Sequence, residues 1–287
     1  MPELPEVQTI INDLNQVILN KKIATIDIRK SRLVKGSDSK FKKTLINNQF
    51  SKISRRGKLI IFSLKTYDLY LLIHLKMTGQ LIYQSGKKVI AGGHSDTNPV
   101  NDLPNKHTHV IFTFSDKSKL YFNDLRTFGY LQLVDEKQLE KIKSKFGIEP
   151  LSQEFTLEKF EEMLKGKNTA IKTFLLNQKF VVGLGNIYAD EVCFDAGVKP
   201  QRRIKTLTKD EKQKIFKAIP KILKKSIKYR GTTFSDFVDG QGRTGNFVNH
   251  LKAHQQEGKQ CPRCKKETII KIKLNGRGTY YCPNCQK

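Results

Sequence analysis

The segment CPRCKKETIIKIKLNGRGTYYCPNC, residues 261–285, places an alternating apolar and basic run between two Cys-x-x-Cys pairs. The pairs are Cys261 with Cys264 and Cys282 with Cys285. Cysteine thiolates at this spacing typically bind a tetrahedral Zn²⁺ ion. The alternation of apolar residues with lysines, followed by the turn sequence NGRG, predicts a two-stranded hairpin between the pairs. We therefore expect a zinc ribbon over residues 258–287 that holds one structural Zn²⁺.

The charge of the chain favours a polyanionic partner. The 287 residues include 53 Lys and Arg against 27 Asp and Glu, which gives a formal net charge of +26. Binding to phosphates releases counterions, so a charge this high favours a nucleic acid. An evenly spread lysine-rich surface is the alternative that composition alone leaves open.

The sequence contains no pattern typical of membrane insertion or secretion. No run approaches about 18 consecutive apolar residues, and the first residues lack a basic segment followed by an apolar one. We therefore expect no membrane partner and a cytoplasmic location.

Hydrophobic periodicity divides the chain into a β-rich part and a helical part. Residues 5–20 repeat apolar side chains at helical spacing. From about residue 22 to 134, short apolar runs separated by turn sequences predict an antiparallel sheet system. Within it, the polar and glycine-rich residues 86–106 predict a long loop. Beyond about residue 150 the patterns are helical.

These patterns predict an α+β multidomain protein. An N-terminal antiparallel β-sandwich domain with flanking helices is expected over residues 1–135, followed by a linker at 136–150. A helical domain is expected over residues 151–257, and the zinc ribbon over 258–287. A chain of this length is large enough for about two domains with their own cores and one small module.

Several motifs occur together in one order along the chain. They are MPELPEV at the N-terminus, GKL at 57–59, HLKMTG at 74–79, DLRTFG at 124–129, TAIKTFLLNQKFVVGLGNIYADE at 169–191 and the cysteine ribbon. In this combination the chain resembles the bacterial formamidopyrimidine-DNA glycosylases over essentially its whole length. The resemblance implies a β-sandwich, a helix–two-turn–helix domain and a zinc ribbon. It also implies a base-excision repair enzyme whose partner is double-stranded DNA containing oxidised bases.

The resemblance implies a catalytic set centred on the N-terminus. Pro2 would be the nucleophile once the initiator methionine is removed, because its secondary amine can attack C1′ of a damaged nucleotide and form an iminium. Glu3 would be the general acid that helps open the sugar ring, and Glu6 would hold the terminus in place. Lys58 and Arg277 would contact phosphates and assist strand cleavage.

Simpler interpretations exist for the same residues. Glu3 and Glu6 also suit the positive end of a helix dipole. Lys58 alone would be interpreted as a solvated lysine at a strand end, and Arg277 as an ordinary residue of a turn.

A duplex from which a base has been extruded needs side chains to fill the gap. The resemblance assigns this role to Met77, Arg126 and Phe128, of which Arg126 would donate to the base left without a partner. For Met77 and Phe128, packing in the core is the alternative that the sequence leaves open.

Other residues are assigned by the resemblance to phosphates and to the extruded base. His74, His107 and Asn186 would contact phosphates. Thr232 and Thr233, within the glycine-rich residues 230–247, would surround the extruded purine.

Two positions depart from the family pattern. Asn168 stands where a basic residue often precedes TAIK, and Lys76 within HLKMTG stands where glycine or arginine is expected.

The sequence thus predicts a monomeric bifunctional DNA glycosylase and AP lyase that removes 8-oxoguanine and formamidopyrimidines and cleaves the strand by β- and δ-elimination. One alternative is an endonuclease VIII type of glycosylase for oxidised pyrimidines, whose N-terminus usually carries glycine where this chain has Leu4. The other is a non-catalytic zinc-ribbon DNA-binding protein, which gives Pro2, Glu3 and Lys58 no shared purpose.

Overall fold

The computed structural model describes residues 1–66, 68–93, 103–232 and 246–287. The chain forms two compact units. The first consists of Met1–Ser144 and Arg230–Asn246, and the second of Lys145–Tyr229 and Phe247–Lys287. A segment distant in sequence from the N-terminus therefore belongs to the same unit as the first residues.

The first unit contains two five-stranded sheets among the residues described. The first sheet has the order β1 (Ile23–Ile28), β8 (Thr108–Phe114), β9 (Lys119–Asp124), β6 (Gly79–Ser85) and β7 (Lys88–Gly93). The second has the order β2 (Val34–Lys35), β10 (Tyr130–Asp135), β5 (Leu69–His74), β4 (Leu59–Leu64) and β3 (Phe50–Arg56). The short β2 pairs in parallel with β10, and the other pairings of these strands are antiparallel.

Both sheets contribute to one hydrophobic core, which makes the unit a β-sandwich. Phe50 and Phe62 of the second sheet and Phe112 of the first are fully buried in it. The ring centroids of Phe50 and Phe62 are 4.8 Å apart, and Phe112 meets Phe50 edge-on at 6.3 Å. Burial of each such side chain contributes roughly 1.5–3 kcal/mol. The predicted α+β fold with an antiparallel sandwich is confirmed.

Helix α1 (Leu4–Asn15) packs against β7 and β3 and places its apolar stripe in this core. Val7, Ile10, Ile11 and Leu14 are buried, as the periodicity of the sequence predicts. Two further helices, α2 (Asp38–Leu45) and α3 (Glu136–Lys143), begin at side-chain caps from Ser37 and Asp135.

The prediction of one long loop over residues 86–106 is wrong for its first part. Residues Lys88–Gly93 form β7, which pairs with β6 along Ser85↔Lys88 to Gln80↔Gly93. Val89, Ile90 and Ala91 supply strand propensity and apolar contacts that outweigh the glycines after them. Residues 94–102 of the expected loop lie outside the described residues.

The second unit combines helices with the ribbon hairpin. The helices are α4 (Leu157–Leu164), α5 (Ile171–Leu176), α6 (Asn186–Ala196) and α7 (Lys209–Lys228). The hairpin consists of β11 (Ile270–Leu274) and β12 (Arg277–Tyr281). Helix α6 is buried on nearly all sides from Tyr188 to Phe194, so it forms the centre of this unit. In the described part of the chain no helix has the length and apolar character needed to span a membrane.

We expect Gly79→Ala to lower the free energy of unfolding by about 2–3 kcal/mol, because a Cβ atom would overlap fixed backbone. Gly79 opens β6, and a Cβ there would lie 2.4 Å from the carbonyl oxygen of Leu75, to which the Gly79 N–H already donates. Urea denaturation measures the loss. Gly86→Asn is the control: Gly86 has φ +56° with no atom within 4 Å, a conformation that asparagine tolerates. An equal loss in both variants would contradict the steric argument.

Candidate functional site

The N-terminal turn places two carboxyl groups directly after Pro2. Pro2 is buried, Glu3 is 3% exposed, and Glu3 is the N-cap of α1. Glu3 and Glu6 form a capping box, in which Glu6 Oε2 accepts the backbone N–H of Glu3 at 2.8 Å. This bond holds the amide that joins Pro2 to Glu3, so the helix-cap interpretation and the positioning interpretation of Glu6 describe one contact.

The second oxygen of Glu6 holds a segment far along the chain. Glu6 Oε1 accepts the N–H of Thr232 at 2.7 Å. Gly231 before it has φ +83°, and a Cβ atom there would lie 2.8 Å from Glu6 Oε1. Only glycine suits both the backbone conformation and the close approach. Thr232 also bridges to Asn246 in antiparallel fashion.

A second contact with the same distant segment is made by Asp13, which lies near the end of α1. Arg230 forms an ion pair with Asp13 at 2.5 Å. Asp13 and Glu6 thus hold Arg230 and Thr232, and Asn246 is held through its bridge to Thr232. Thr233, assigned by the sequence to the base-binding loop, lies outside the described residues.

Lys58 and His74 lie side by side at one end of the second sheet. Lys58 directly precedes β4, whose first residue Leu59 pairs with His74 at the end of β5. Tyr130, the first residue of β10, pairs with His74 from the other side. Lys58 is only 8% exposed, so it differs from the solvated lysine that the isolated sequence suggests.

The imidazole of His74 is neutral and its tautomer is defined. Burial and the neighbouring Lys76, Lys58 and Lys35 lower the pKa of His74 to about 3. Its Nδ1 accepts the backbone N–H of Lys76 at 3.0 Å. The single proton of the neutral ring is therefore on Nε2, where it is a donor suited to a phosphate oxygen.

Arg126 contacts both Met77 and Phe128, and all three side chains are exposed to solvent. Met77 is 41% and Phe128 is 52% exposed, which excludes core packing for both. Arg126 Nη1 lies 3.3 Å from Met77 Sδ, and its guanidinium lies 4.7 Å from the centroid of the Phe128 ring. The apolar side chains of Met77 and Phe128 and the planar guanidinium of Arg126 therefore form one solvent-exposed cluster.

The carboxylate of Asp124 joins the two loops that carry these residues. Asp124 Oδ1 accepts from the Thr78 hydroxyl and, at 3.2 Å, from the N–H of Arg126, while Oδ2 accepts the Gly129 N–H at 2.7 Å. Asp124 is fully buried. Sequence reasoning missed Asp124 and Thr78, although both lie within the motifs DLRTFG and HLKMTG.

The predicted phosphate contact His107 lies next to the same loop. The backbone N–H of Asp124 donates to the carbonyl oxygen of His107 at 3.0 Å. Two residues on, His109 is buried with Nε2 2.8 Å from the carbonyl oxygen of Asp124. His107 is half-buried at the sheet surface, whereas the ring of His109 is buried and contacts backbone.

In the second unit, Arg277 stands at the tip of the ribbon hairpin. Leu274 pairs with Arg277 across a two-residue turn in which Asn275 and Gly276 have φ values of 47° and 76°. These values are typical of the type I′ turn that suits the twist of a hairpin. Arg277 is exposed, so the turn presents the guanidinium to solvent.

Buried polar groups hold the strand that follows Arg277. The carbonyl oxygen of Gly278 accepts from Asn186 Nδ2 at 3.0 Å and from Lys172 Nζ at 3.1 Å. Lys172, 1% exposed, also donates to the Thr279 hydroxyl at 2.9 Å and pairs with Asp190 at 2.7 Å. The amide of Asn186 thus contacts the ribbon backbone in this structure.

The Lys172–Asp190 pair extends to a third buried group. His254 Nδ1 lies 2.7 Å from the other oxygen of Asp190. A buried ion pair is favourable only when its other donors and acceptors find partners. Here Lys172 also donates to the Gly278 carbonyl and the Thr279 hydroxyl, and the second Asp190 oxygen meets His254. Sequence reasoning missed this network, because lysine is rarely buried and no local pattern marks Lys172 as an exception.

The four cysteines of the ribbon fit a zinc ion. Their sulfur atoms lie within 4.8 Å of one another, with Cys261 and Cys285 at 3.7 Å and Cys264 and Cys282 at 3.8 Å. Tetrahedral coordination with Zn–S bonds of about 2.3 Å places sulfur atoms about 3.8 Å apart. A hydrogen bond from the Asn284 side chain, with two from backbone, lowers the pKa of Cys264 to about 5.

Family models match nearly the whole chain. The formamidopyrimidine-DNA glycosylase N-terminal domain matches residues 1–131, and the formamidopyrimidine-DNA glycosylase H2TH domain matches residues 146–238. The zinc finger found in FPG and IleRS matches residues 258–287.

Relatives and solved structures agree with these matches. The chain is 39% identical to a formamidopyrimidine-DNA glycosylase of Pelotomaculum thermopropionicum over 100% of this chain and 99% of the relative. It is 38% identical to that of Listeria monocytogenes over the full length of both. The structure is similar to Lactococcus lactis Fpg in complex with abasic-site DNA, with a TM-score of 0.87 and 34% identity over 99% of each chain. A complex of the same enzyme with Fapy-dG DNA gives 0.86 and 34% over 99% and 100%.

We expect His74 to stay neutral, with its proton on Nε2, between pH 5 and pH 8. Nitrogen-15 NMR of the labelled imidazole measures this directly, and His74→Gln identifies the signal. Lys76→Gln should raise the pKa of His74 by removing a nearby positive charge. In the unfolded chain this histidine takes up a proton near pH 6.5, so it reduces stability as the pH falls from about 6.5 towards 3. Titration near 6.5 in the folded protein would contradict the assigned environment.

We expect Cys264→Ser to release the metal and to weaken DNA binding, because the hairpin that carries Arg277 loses its coordinated end. Metal analysis and fluorescence anisotropy with a duplex measure the two effects. Cys193→Ala is the matched control: Cys193 is buried in α6 outside the cluster, so that variant should keep one zinc per chain. Unchanged affinity in a zinc-free Cys264 variant would show that the ribbon is dispensable for binding.

Proposed function

This chain belongs to the family of formamidopyrimidine-DNA glycosylases, and we propose that it removes 8-oxoguanine and formamidopyrimidines from double-stranded DNA. After removing the base it cleaves the strand by successive β- and δ-elimination, which leaves phosphates at both margins of the gap. The observation that carries the proposal is the N-terminal turn, where the Pro2–Glu3 amide is held by Glu6 beside a buried Glu3 carboxyl.

Pro2 supplies the nucleophile once Met1 is removed. The lone pair of its nitrogen forms a bond to C1′, and the bond from C1′ to the damaged base breaks, with the electron pair leaving on the base, which takes up a proton. The nitrogen then loses its proton, and its lone pair forms the C=N bond as the C1′–O4′ bond breaks, which gives an iminium ion and leaves O4′ to be protonated.

Glu3 is the proton donor in this step. A proton on its carboxyl passes to O4′ as the ring opens, and the nearly complete burial of Glu3 keeps bulk water from competing. Glu6 cannot share this role, because both of its oxygens already accept backbone N–H groups from Glu3 and Thr232. It is a positioning residue.

Strand cleavage follows from the iminium. Loss of a proton from C2′ expels the 3′ phosphate, because the C3′–O bond breaks and its electron pair leaves on the phosphate. Loss of a proton from C4′ then expels the 5′ phosphate, because the C5′–O bond breaks in the same manner. Water then releases the sugar fragment from Pro2. Lys58 and Arg277 stabilise the negative charge of the departing phosphates. The nearly buried Lys58 ammonium assists the first elimination, and the exposed Arg277 guanidinium assists the second.

The remaining assigned residues hold the duplex in a distorted form. Met77, Arg126 and Phe128 occupy the gap left by the extruded base, and Arg126 donates to the opposite base. His74 donates to a phosphate through Nε2, and His107 and Asn186 contact further phosphates. Thr232 and Thr233 contact the extruded purine.

Two alternatives predict different outcomes. An endonuclease VIII type of enzyme would act on oxidised pyrimidines, and a non-catalytic protein would bind DNA without forming a covalent bond. The matched family and Leu4 support the glycosylase that acts on purines, and the Glu6-held N-terminal turn supports a catalytic protein over one that only binds DNA. We also propose that the chain acts as a monomer in the cytoplasm.

Borohydride trapping on a duplex with one 8-oxoguanine tests the proposal. We expect a covalent adduct on the N-terminal peptide that begins at Pro2, located by peptide mass mapping. Pro2→Gly retains a primary amine and should trap more weakly. An extension in front of Pro2 acylates the nitrogen and should abolish trapping while leaving DNA binding intact.

An adduct on a lysine would overturn the assignment of Pro2. Absence of any adduct, with Met1 shown to be removed and binding preserved, would overturn the purine assignment. A duplex with an oxidised pyrimidine then separates the other enzyme class from the binding protein.

A further inference from the structure

The sheet end that carries His74 also gathers residues to which no role has been given. Lys35 closes β2 and pairs with Gln132 of β10, so it lies beside Tyr130 at the start of that strand. Lys76 follows His74 by two residues, with φ +52°, and its N–H returns to the imidazole. Strand register and this turn therefore bring two further lysines to the edge occupied by Lys58 and His74.

The ring of Tyr130 organises the two lysines. Lys35 Nζ lies 3.6 Å and Lys76 Nζ lies 5.8 Å from its centroid. The ring of His74 lies 5.8 Å from that of Tyr130. Cation–π attraction holds an ammonium group in place without neutralising it. Tyr130 thus acts as a platform that keeps two full positive charges close together.

Among the described residues, no carboxylate pairs with either ammonium group. Within the described parts of the chain, neither Lys35 nor Lys76 forms an ion pair. Burial and the proximity of Lys76 lower the pKa of Lys35, and the same lysines lower that of His74. Like charges held at close range favour the arrival of an anion.

We propose that Lys35 and Lys76, aligned on Tyr130, form a binding site for one phosphate of the DNA backbone in addition to the phosphate assigned to His74. The site rests on the proposed DNA-binding function and adds a contact that the family pattern does not require, since Lys76 stands at one of its departures. The oxygen atoms of this phosphate would accept hydrogen bonds from the two ammonium groups. The Nε2–H group of His74 would donate to the neighbouring phosphate of the same strand.

A phosphodiester fits this site better than a carboxylate ligand. Its charge is spread over non-bridging oxygens that can accept from two ammonium groups at once. Lys35 is exposed and Lys76 half-buried, so the site opens to solvent at the edge of the sheet, where an extended strand can pass. Contacts of this kind supply affinity that depends on salt but not on sequence.

The test compares the salt dependence of binding to a duplex with one uncleavable abasic analogue. Each neutralised phosphate contributes about 0.9 to the slope of log K against log salt. We expect Lys35→Gln combined with Lys76→Gln to make the slope less steep by about that amount. The control combines Lys52→Gln with Lys65→Gln, two exposed lysines of the same sheet region, and should retain the wild-type slope. Equal slopes in the two double variants would overturn the site.

Neutral methylphosphonate linkages identify the phosphate. One such linkage is placed at each backbone position in turn. At one position it should weaken DNA binding by the wild-type protein but cause no further loss of affinity in the Lys35 and Lys76 double variant. If every position weakens both proteins equally, no phosphate is held by these lysines and the proposal fails. Neither readout involves base excision, so a failure of the glycosylase assignment leaves this result interpretable.

The role of Tyr130 is tested separately. Tyr130→Phe keeps the ring and should keep the slope, whereas Tyr130→Leu should reduce it as the double lysine variant does. Thermal unfolding confirms that each variant is folded. A reduced slope for Tyr130→Phe, or an unchanged slope for folded Tyr130→Leu, would remove the ring from the site.

Discussion

The N-terminal turn of the first unit depends on two hydrogen bonds to the carboxylate of Glu6. One of its oxygens holds the amide after Pro2, and the other holds the backbone of Thr232. A residue this close to a chain terminus would ordinarily have the mobility of a frayed end. Here the terminus leads into a capped helix whose apolar stripe lies in the sandwich core, so the position of Pro2 is set by the whole unit.

A second theme is the positive charge of Lys35 and Lys76, which form no ion pair with the described residues. The end of the second sheet collects lysines around a neutral histidine, and the ribbon presents Arg277 on a rigid turn. Elsewhere the protein neutralises its buried charges carefully, as the Lys172–Asp190–His254 network shows. Some cations therefore stabilise the fold, and others are available to bind a polyanion. The net charge of the chain does not distinguish these two groups.

The sequence predicted what depends on local periodicity and spacing. The stripe of α1, the strands of the sandwich and the cysteine hairpin each repeat within a few residues, and each is present. Strand β7 was missed because glycines follow its three apolar residues. The Thr78–Asp124 contact and the cluster around Tyr130 could not be found in this way, because each joins residues that are distant in sequence and that strand pairing brings together. Resemblance named Met77 and Phe128, but only the structure shows that they are exposed.

The shared carboxylate of Asp124 restricts how this protein can evolve. The loop with Met77 and the loop with Arg126 and Phe128 are both fixed by that one side chain. A substitution that changes the geometry of one loop is transmitted to the other, so their mutational effects should be non-additive. Descendants of this sequence that acquire a new arrangement of Met77, Arg126 and Phe128 would therefore change both loops together, and the two motifs would be inherited as one unit.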